Sequence, residues 1–184
     1  MSEVVFLLEE PSAEAMLEGF VPRILPPGTP FRCIVFEGKQ DLERQLVRRI
    51  RGYRVPGARF VVLRDKDSGD CRTTKAALVT KCAEAGHPEA LVRIACHELE
   101  SWYLADLAAV ATGLSLPKLE RHQNKRMFRS PDDFPSPYRT LKGIAPSYQK
   151  VGGSRVIGLY LDPLNQRSHS FTVFVAGLQR LCAP

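Results

Sequence analysis

The chain has 184 residues and 44% of them are hydrophobic, so it can bury one sizeable core but is short for two independent domains. The formal net charge of +6 and the pI near 9.2 are compatible with a polyanionic partner, although many proteins without such a partner are equally basic. Five scattered cysteines argue against a disulfide scaffold, and the lack of a membrane-length apolar run or a signal peptide predicts a cytoplasmic protein without membrane contact.

Four short apolar runs, rich in β-branched and aromatic residues, predict strands at residues 4–8, 32–36, 60–63 and 91–95. A stretch with helical spacing of its apolar residues follows each run, and the predicted helices begin near Ser12, Gly38, Arg72 and Glu98. Strict alternation of strands and helices is typical of an α/β fold, because right-handed crossovers lay the strands side by side in one direction. The sequence therefore predicts a four-stranded parallel sheet flanked by helices.

The regular pattern ends near Gly113, and the rest of the chain is rich in proline, serine and basic residues. One further helix is predicted close to the end, at residues 171–181. We therefore predict an α/β core at residues 1–112 and an irregular, partly helical C-terminal extension at residues 113–184, packed on the same domain.

Acidic side chains follow three of the four predicted strands, at the point where each strand ends. Glu9 follows the first strand, Asp65 and Asp67 follow the third, and Glu98 and Glu100 follow the fourth. Open parallel sheets bind ligands beyond the carboxyl ends of their strands, so we expect these acids at one edge of the sheet. Carboxylates about 4 Å apart repel by roughly 4 kcal/mol per pair at an effective dielectric of about 20, so the group must be protonated or bind a cation.

Oxygen ligands of this kind suit Mg²⁺ or Mn²⁺, and such an ion would serve phosphoryl transfer or phosphodiester hydrolysis. We assign Asp65 and Asp67 as the principal metal ligands and Glu9 as a ligand or general base. One of Glu98 and Glu100 is a further catalytic ligand, and the sequence does not choose between the two. Each acid taken alone could instead cap a helix.

Several residues near these acids are more readily explained by structure than by chemistry. Asp70 and Ser168 are predicted caps of the helices that follow them. A structural role is assigned to Asp106, which does not share a helix face with Glu100. Trp102 and Tyr103 are predicted core residues, because their helix packs against the sheet.

Basic residues provide candidate contacts for phosphate groups. Lys150 is assigned to the catalytic site, since it precedes Gly152 and Gly153 in a predicted loop that could fold over the acids. Six more basic side chains are candidate nucleic-acid contacts: Lys39, Arg48, Arg49, Lys125, Arg126 and Arg155. Each of these could equally be a solvated surface charge.

The chain resembles the Toprim superfamily, whose pattern is a glutamate after the first strand and Asp-x-Asp after the third. It is also similar to a family of small Toprim-like bacterial proteins of uncharacterised function. The similarity is carried by residues 8–14, 38–42, 62–67, 98–106, 148–151 and 168–171. Glu10 departs from the broad pattern, in which glycine usually follows the catalytic glutamate.

The resemblance implies a Toprim-like, Rossmann-like core and Mg²⁺-dependent cleavage of DNA or RNA. It also implies an effector subunit that works with an ABC-type ATPase in anti-phage defence. Two alternatives stay open. One is a non-catalytic or conditionally active docking subunit of an ATPase complex. The other is a receiver-like or phosphatase domain that acts on small phosphoesters.

Overall fold

In the computed structural model, which describes residues 2–66 and 70–183, a four-stranded sheet lies between two layers of helices. The strands are parallel and lie in the order β2-β1-β3-β4, which confirms the predicted fold class. Their bounds are β1 Val4–Leu8, β2 Phe31–Val35, β3 Arg59–Asp65 and β4 Leu91–Ala95. The helices are α1 Pro11–Phe20, α2 Lys39–Gly52, α3 Cys71–Glu84, α4 Glu100–Ala105, α5 Leu107–Gly113, α6 Pro137–Ile144, α7 Lys150–Gly158 and α8 His169–Leu181.

The third strand extends beyond its predicted end. The apolar run stops at Leu63, but Arg64 and Asp65 continue the strand because they pair with Ile94 and Ala95 of β4. Asp65 is therefore the last residue of β3 and is held by the sheet. The predicted bounds of β1 and β4 are confirmed.

Successive strand residues point to opposite faces of the sheet and enter two separate cores. Val4, Phe6 and Leu8 belong to a cluster with residues of α1, α4, α7 and α8, and we call this side the α1 face. Val5 and Leu7 belong to a cluster with residues of α2 and α3, and we call that side the α2 face. Among the described residues, no helix combines the length and apolar character needed to cross a membrane.

The segment around Lys150 and Arg155 is not a loop, as its two glycines led us to predict, but the helix α7, which packs across α1. A side chain at Gly153 would overlap the ring of Tyr148, and one at Gly158 would overlap the carbonyl oxygen of Met16. These glycines therefore allow a close approach between α7 and its neighbours. Local propensity predicts a break here, and packing overrides it.

The predicted caps are confirmed. The side chain of Asp70 accepts a hydrogen bond from the backbone N–H of Thr73, and Ser168 caps α8 in the same way. Asp106 caps α5 and also accepts from the N–H of Asp162, which ties the α4–α5 junction to the C-terminal region. Trp102 and Tyr103 are fully buried, as predicted.

Candidate metal centre

The strand order places a crevice at the carboxyl ends of β1 and β3. From β1 the chain moves to β2 on one side, whereas β3 lies on the other side, and open α/β sheets bind ligands at such a reversal. Glu9 directly follows β1 and Asp65 ends β3. A small cleft at this point is lined by Glu9, Glu10, Ser12, Ala13, Leu63, Arg64, Asp65 and Leu99.

Glu9 and Asp65 are in direct contact. One carboxylate oxygen of Glu9, Oε2, accepts a hydrogen bond of 3.3 Å from the backbone N–H of Asp65. The same oxygen lies 3.6 Å from Nε of Arg64, which is a neighbour of opposite charge. The predicted convergence of the β1 and β3 acids is thus present for this pair.

The carboxyl of Asp65 is strongly perturbed by its surroundings in the cleft. Burial raises the pKa of Asp65 well above its ordinary value, and the negative charges of Glu100, Glu10 and Glu9 raise it further. The charge of Lys150 acts in the opposite direction but does not outweigh them. This arrangement favours either a proton on Asp65 or an additional cation beside it.

The structure separates Glu100 from Glu98, which the sequence did not. Glu100 is 1% exposed, and its Oε1 accepts a hydrogen bond of 2.9 Å from the hydroxyl of Tyr148. Burial raises the pKa of Glu100, although Lys150 and the bond from Tyr148 oppose this effect. Glu98 instead accepts a 2.7 Å hydrogen bond from the backbone N–H of Tyr138, at the start of α6. Glu100 therefore belongs to the Asp65 group, and Glu98 supports a helix end.

Lys150 is the first residue of α7 and reaches back to the start of α1. Its Nζ lies 3.0 Å from Oε2 of Glu10 and 5.6 Å from the ring centre of Tyr138. Burial alone would lower the pKa of Lys150, but the bond with Glu10 and the charges of Glu100 and Asp65 raise it overall. Lys150 is thus a charged partner of the acidic group, and Glu10 holds it there.

The model of a family described as Domain of unknown function (DUF4276) matches residues 8–179. The chain belongs to this family. No curated protein and no solved structure matches the chain. The matched span contains the whole cleft of this DUF4276 protein. Because the description of the family states no activity, the resemblance to Toprim proteins stays a prediction.

Three residues of the candidate site in this DUF4276 protein were not predicted. Glu10 was noted only as a departure from a pattern, yet it binds Lys150. Arg64, 8% exposed, pairs with Glu9 and Glu43, and its Nε has no hydrogen-bond partner in the part of the chain that the structure describes. The position of Arg64 in the sequence, between an apolar run and an aspartate, was a signal that could have identified it as a site residue. Tyr148, the buried partner of Glu100, had no such signal.

The predicted nucleic-acid contacts do not all lie at the cleft. Lys39 begins α2 near the end of β2, whereas Arg48 and Arg49 lie about 14 Å further along that helix, toward the opposite edge of the sheet. Arg155 forms an ion pair with Glu18 across the α1–α7 contact. The exposed residues Lys125 and Arg126 flank the start of a short 3₁₀ helix.

The structure describes only part of the predicted metal site. The predicted ligand Asp67 lies outside the described residues. Within residues 2–66 and 70–183, no group of three or more His, Cys, Asp or Glu side chains is arranged to hold a metal ion. The donor chemistry nevertheless fits a hard divalent cation, because the carboxylates of Glu9 and Glu10 after β1 and of Glu100 in α4 lie close enough to Asp65 to raise its pKa.

Proposed function

We propose that this protein is a divalent-metal-dependent nuclease that hydrolyses phosphodiester bonds of DNA or RNA. One observation carries the proposal. At the reversal of strand order, the carboxyl of Asp65 interacts with those of Glu9, Glu10 and Glu100. Like charges brought together in a partly buried cleft favour a bound cation, and Mg²⁺ or Mn²⁺ prefers such oxygen ligands.

Asp65 and Glu9 are the principal ligands in this proposal, with Glu100 on the buried side, and Asp67 remains a ligand predicted from the sequence alone. A bound ion of this kind would supply an activated water and neutralise the charge of the reacting phosphate. The hydrogen bond from Tyr148 fixes the carboxylate of Glu100, which is otherwise enclosed in the core. Arg64 restrains Glu9 from the other side.

Lys150 is the candidate contact for the substrate phosphate. It is half-exposed and already lies close to the acidic group, so its ammonium can meet an anion that enters the cleft. A phosphate there would compete with Glu10 for the charge of Lys150. The basic residues remote from the cleft, such as Arg48, could contact only more distant parts of a long substrate.

A second candidate is a non-catalytic or conditionally active docking subunit, and one observation favours it. The pairs Arg64–Glu9 and Lys150–Glu10 already neutralise two carboxylates without a metal. In either case the resemblance to defence nucleases makes an ABC-type ATPase the proposed partner. A docking role predicts that the cleft can lose its acids without loss of assembly.

The test is to incubate the protein with supercoiled plasmid, single-stranded DNA and tRNA in the presence of Mg²⁺ or Mn²⁺. We expect cleavage of at least one of these substrates, abolished by EDTA and reduced about 100-fold or more in Asp65→Asn. Asp133→Asn, which alters an exposed acid, is the matched control and should cleave normally.

Three results would contradict the nuclease. Hydrolysis of p-nitrophenyl phosphate without cleavage of any nucleic acid would assign the cleft to small phosphoesters. Cleavage that survives in Asp65→Asn would come from another site or a contaminant. If no substrate is cleaved with either ion, the docking role replaces the nuclease.

A further inference from the structure

The strand β4 lies at the end of the sheet. Its free edge, which faces away from β3, is a candidate binding site separate from the candidate metal centre. The carbonyl of Ala95 accepts a hydrogen bond of 2.9 Å from the N–H of Lys66, so the amide groups of Ala95 face β3. Because successive residues of a strand alternate in direction, those of Val92 and Ile94 face outward. These outward groups are what a further strand would need.

Both ends of this edge are occupied, and its centre is open. The guanidinium of Arg93 donates to the carbonyl of Val92 at 2.8 Å, and the N–H of Cys96 donates to Oγ of Ser170 at 3.5 Å. Between them, the N–H and carbonyl of Ile94 have no hydrogen-bond partner among residues 2–66 and 70–183. An open edge of this kind is a ready template for a strand from another chain.

Two helices form the walls of a groove along this edge. Arg72 and Lys75 come from α3, His169 and Val173 come from α8, and Ile94 lies on the floor. We call these five residues the β4 groove. Arg72, Lys75 and His169 are exposed, whereas Ile94 and Val173 are half-buried. The described residues that line the groove include no acid, so it combines basic walls with an apolar floor.

We propose that the β4 groove binds an extended, acidic segment of a partner protein, which adds a fifth strand to the sheet. The backbone of Ile94 would supply one N–H and one carbonyl to the added strand, and Ile94 and Val173 would supply apolar contacts. Acidic side chains of the segment would face Arg72 and Lys75. This inference is independent of the nuclease proposal.

The charges of the groove favour this occupant over two others. A second copy of the chain paired edge to edge would bring the Arg72 and Lys75 side chains of both copies together, and like charges repel. A nucleic acid would use the basic walls but has no use for the paired donor and acceptor of Ile94. A peptide with alternating acidic and apolar side chains matches both features.

The test uses a displayed library of random peptides about eight residues long, near the length of an average strand. The library is selected on the full-length protein and then depleted on Ile94→Pro. Proline removes the outward N–H of Ile94, which β3 does not use, together with the apolar side chain of Ile94, and edge strands tolerate proline at such a position. A selected peptide is then labelled, and its binding is measured by fluorescence anisotropy.

We expect the selected peptides to alternate acidic and apolar residues. Their affinity should fall about tenfold or more in Ile94→Pro, because an added strand loses a hydrogen bond and the apolar contact of the Ile94 side chain. The double variant R72E/K75E should weaken binding at least as much. R48E/R49E changes the net charge equally on the α2 helix and should bind like the wild type. In the wild type, the peptide should slow amide hydrogen exchange at Ile94, a readout that stands even if Ile94→Pro does not fold.

Four results would overturn the proposal. The first is a selection that yields no binder, and the second is a set of peptides that Ile94→Pro binds as well as the wild type does. The third is binding of a single-stranded oligonucleotide that is lost in R72E/K75E but kept in Ile94→Pro, which would assign the groove to nucleic acid. The fourth is dimerisation that disappears in Ile94→Pro, which would assign it to a second copy.

Discussion

The two faces of the sheet are built in different ways. On the α2 face, α2 and α3 each follow the preceding strand directly, and they bury mainly aliphatic side chains such as Leu46 and Leu78. On the α1 face, α7 and α8 return from the C-terminal region and enclose an aromatic cluster of Phe20, Trp102, Phe171 and Phe174. The buried half of the candidate site comes from this second layer. The candidate site therefore depends on the face that is assembled from distant parts of the sequence.

The largest expected effect on stability comes from the aromatic cluster of the α1 face, compared with an exposed position on α3. Phe174 is fully buried, and its ring centre lies 4.9 Å from that of Trp102. We expect Phe174→Ala to lower the free energy of unfolding by about 4 kcal/mol, from lost burial and the cavity that remains. Val79→Ala on α3, where the side chain is 38% exposed, should cost about 0.5 kcal/mol or less. Urea denaturation measures both, and equal losses would contradict the comparison.

The close contact between α7 and α1 gives the next largest effect. A methyl group at Gly158 would overlap the backbone oxygen of Met16, which cannot rotate away, so Gly158→Ala should destabilise the protein by about 2 kcal/mol. Gly152 lies in the same helix with open space around its Cβ position, and Gly152→Ala should stabilise it by about 0.5 kcal/mol. Thermal unfolding of the two variants should shift in opposite directions. A gain in stability for Gly158→Ala would mean that the helices are not in contact there.

The difference between the face built from neighbouring segments and the face built from distant ones explains how much of the fold the sequence predicted. The strands β1 and β4 were predicted at their observed bounds, because short apolar runs between turn signals are local features. The helix α7 was missed, because Gly152 and Gly153 suggest a break, and only the packing of Tyr148 and Met16 shows why the helix forms. Tertiary contacts of this kind have no local signature.

For the candidate site, too, the sequence predicted the residues that have local signals and missed those that depend on tertiary contacts. Glu9 and Asp65 were found because both come soon after apolar runs, and the sheet brings them together. The choice of Glu100 over Glu98 needed the positions of Tyr148 and Tyr138, which come from beyond residue 113. The partnership between Glu10 and Lys150 spans most of the chain and depends on α7 being helical.

A smaller effect is the pH dependence of folding stability, for which we compare one acid on each face. A raised pKa in the folded state, as for Asp65, means that ionisation opposes folding, so stability falls as the pH rises through that pKa. For Asp41 on α2, hydrogen bonds from Gln45 and Arg44 lower the pKa, so stability falls as the pH drops through it. Without metal, Asp65→Asn should therefore raise the unfolding temperature at neutral pH, whereas Asp41→Asn should lower it slightly.

Thermal scans in EDTA between acid and neutral pH measure both effects. The gain from Asp65→Asn should shrink as the pH falls, because the wild-type carboxyl then becomes protonated in the folded protein. A loss of stability at neutral pH in Asp65→Asn would show that the charge of Asp65 is already well compensated, and would remove the reason for a cation.

The most direct test is calorimetric titration of the protein with Mn²⁺ at neutral pH. The wild type and Asp133→Asn should bind the ion equally well. Asp65→Asn and Glu9→Gln should each bind it more than about tenfold more weakly, since loss of even an outer partner of a metal ligand costs about 10-fold to 100-fold. Absence of binding by the wild type, or equal binding by wild type and Asp65→Asn, would contradict a metal centre at the ends of β1 and β3.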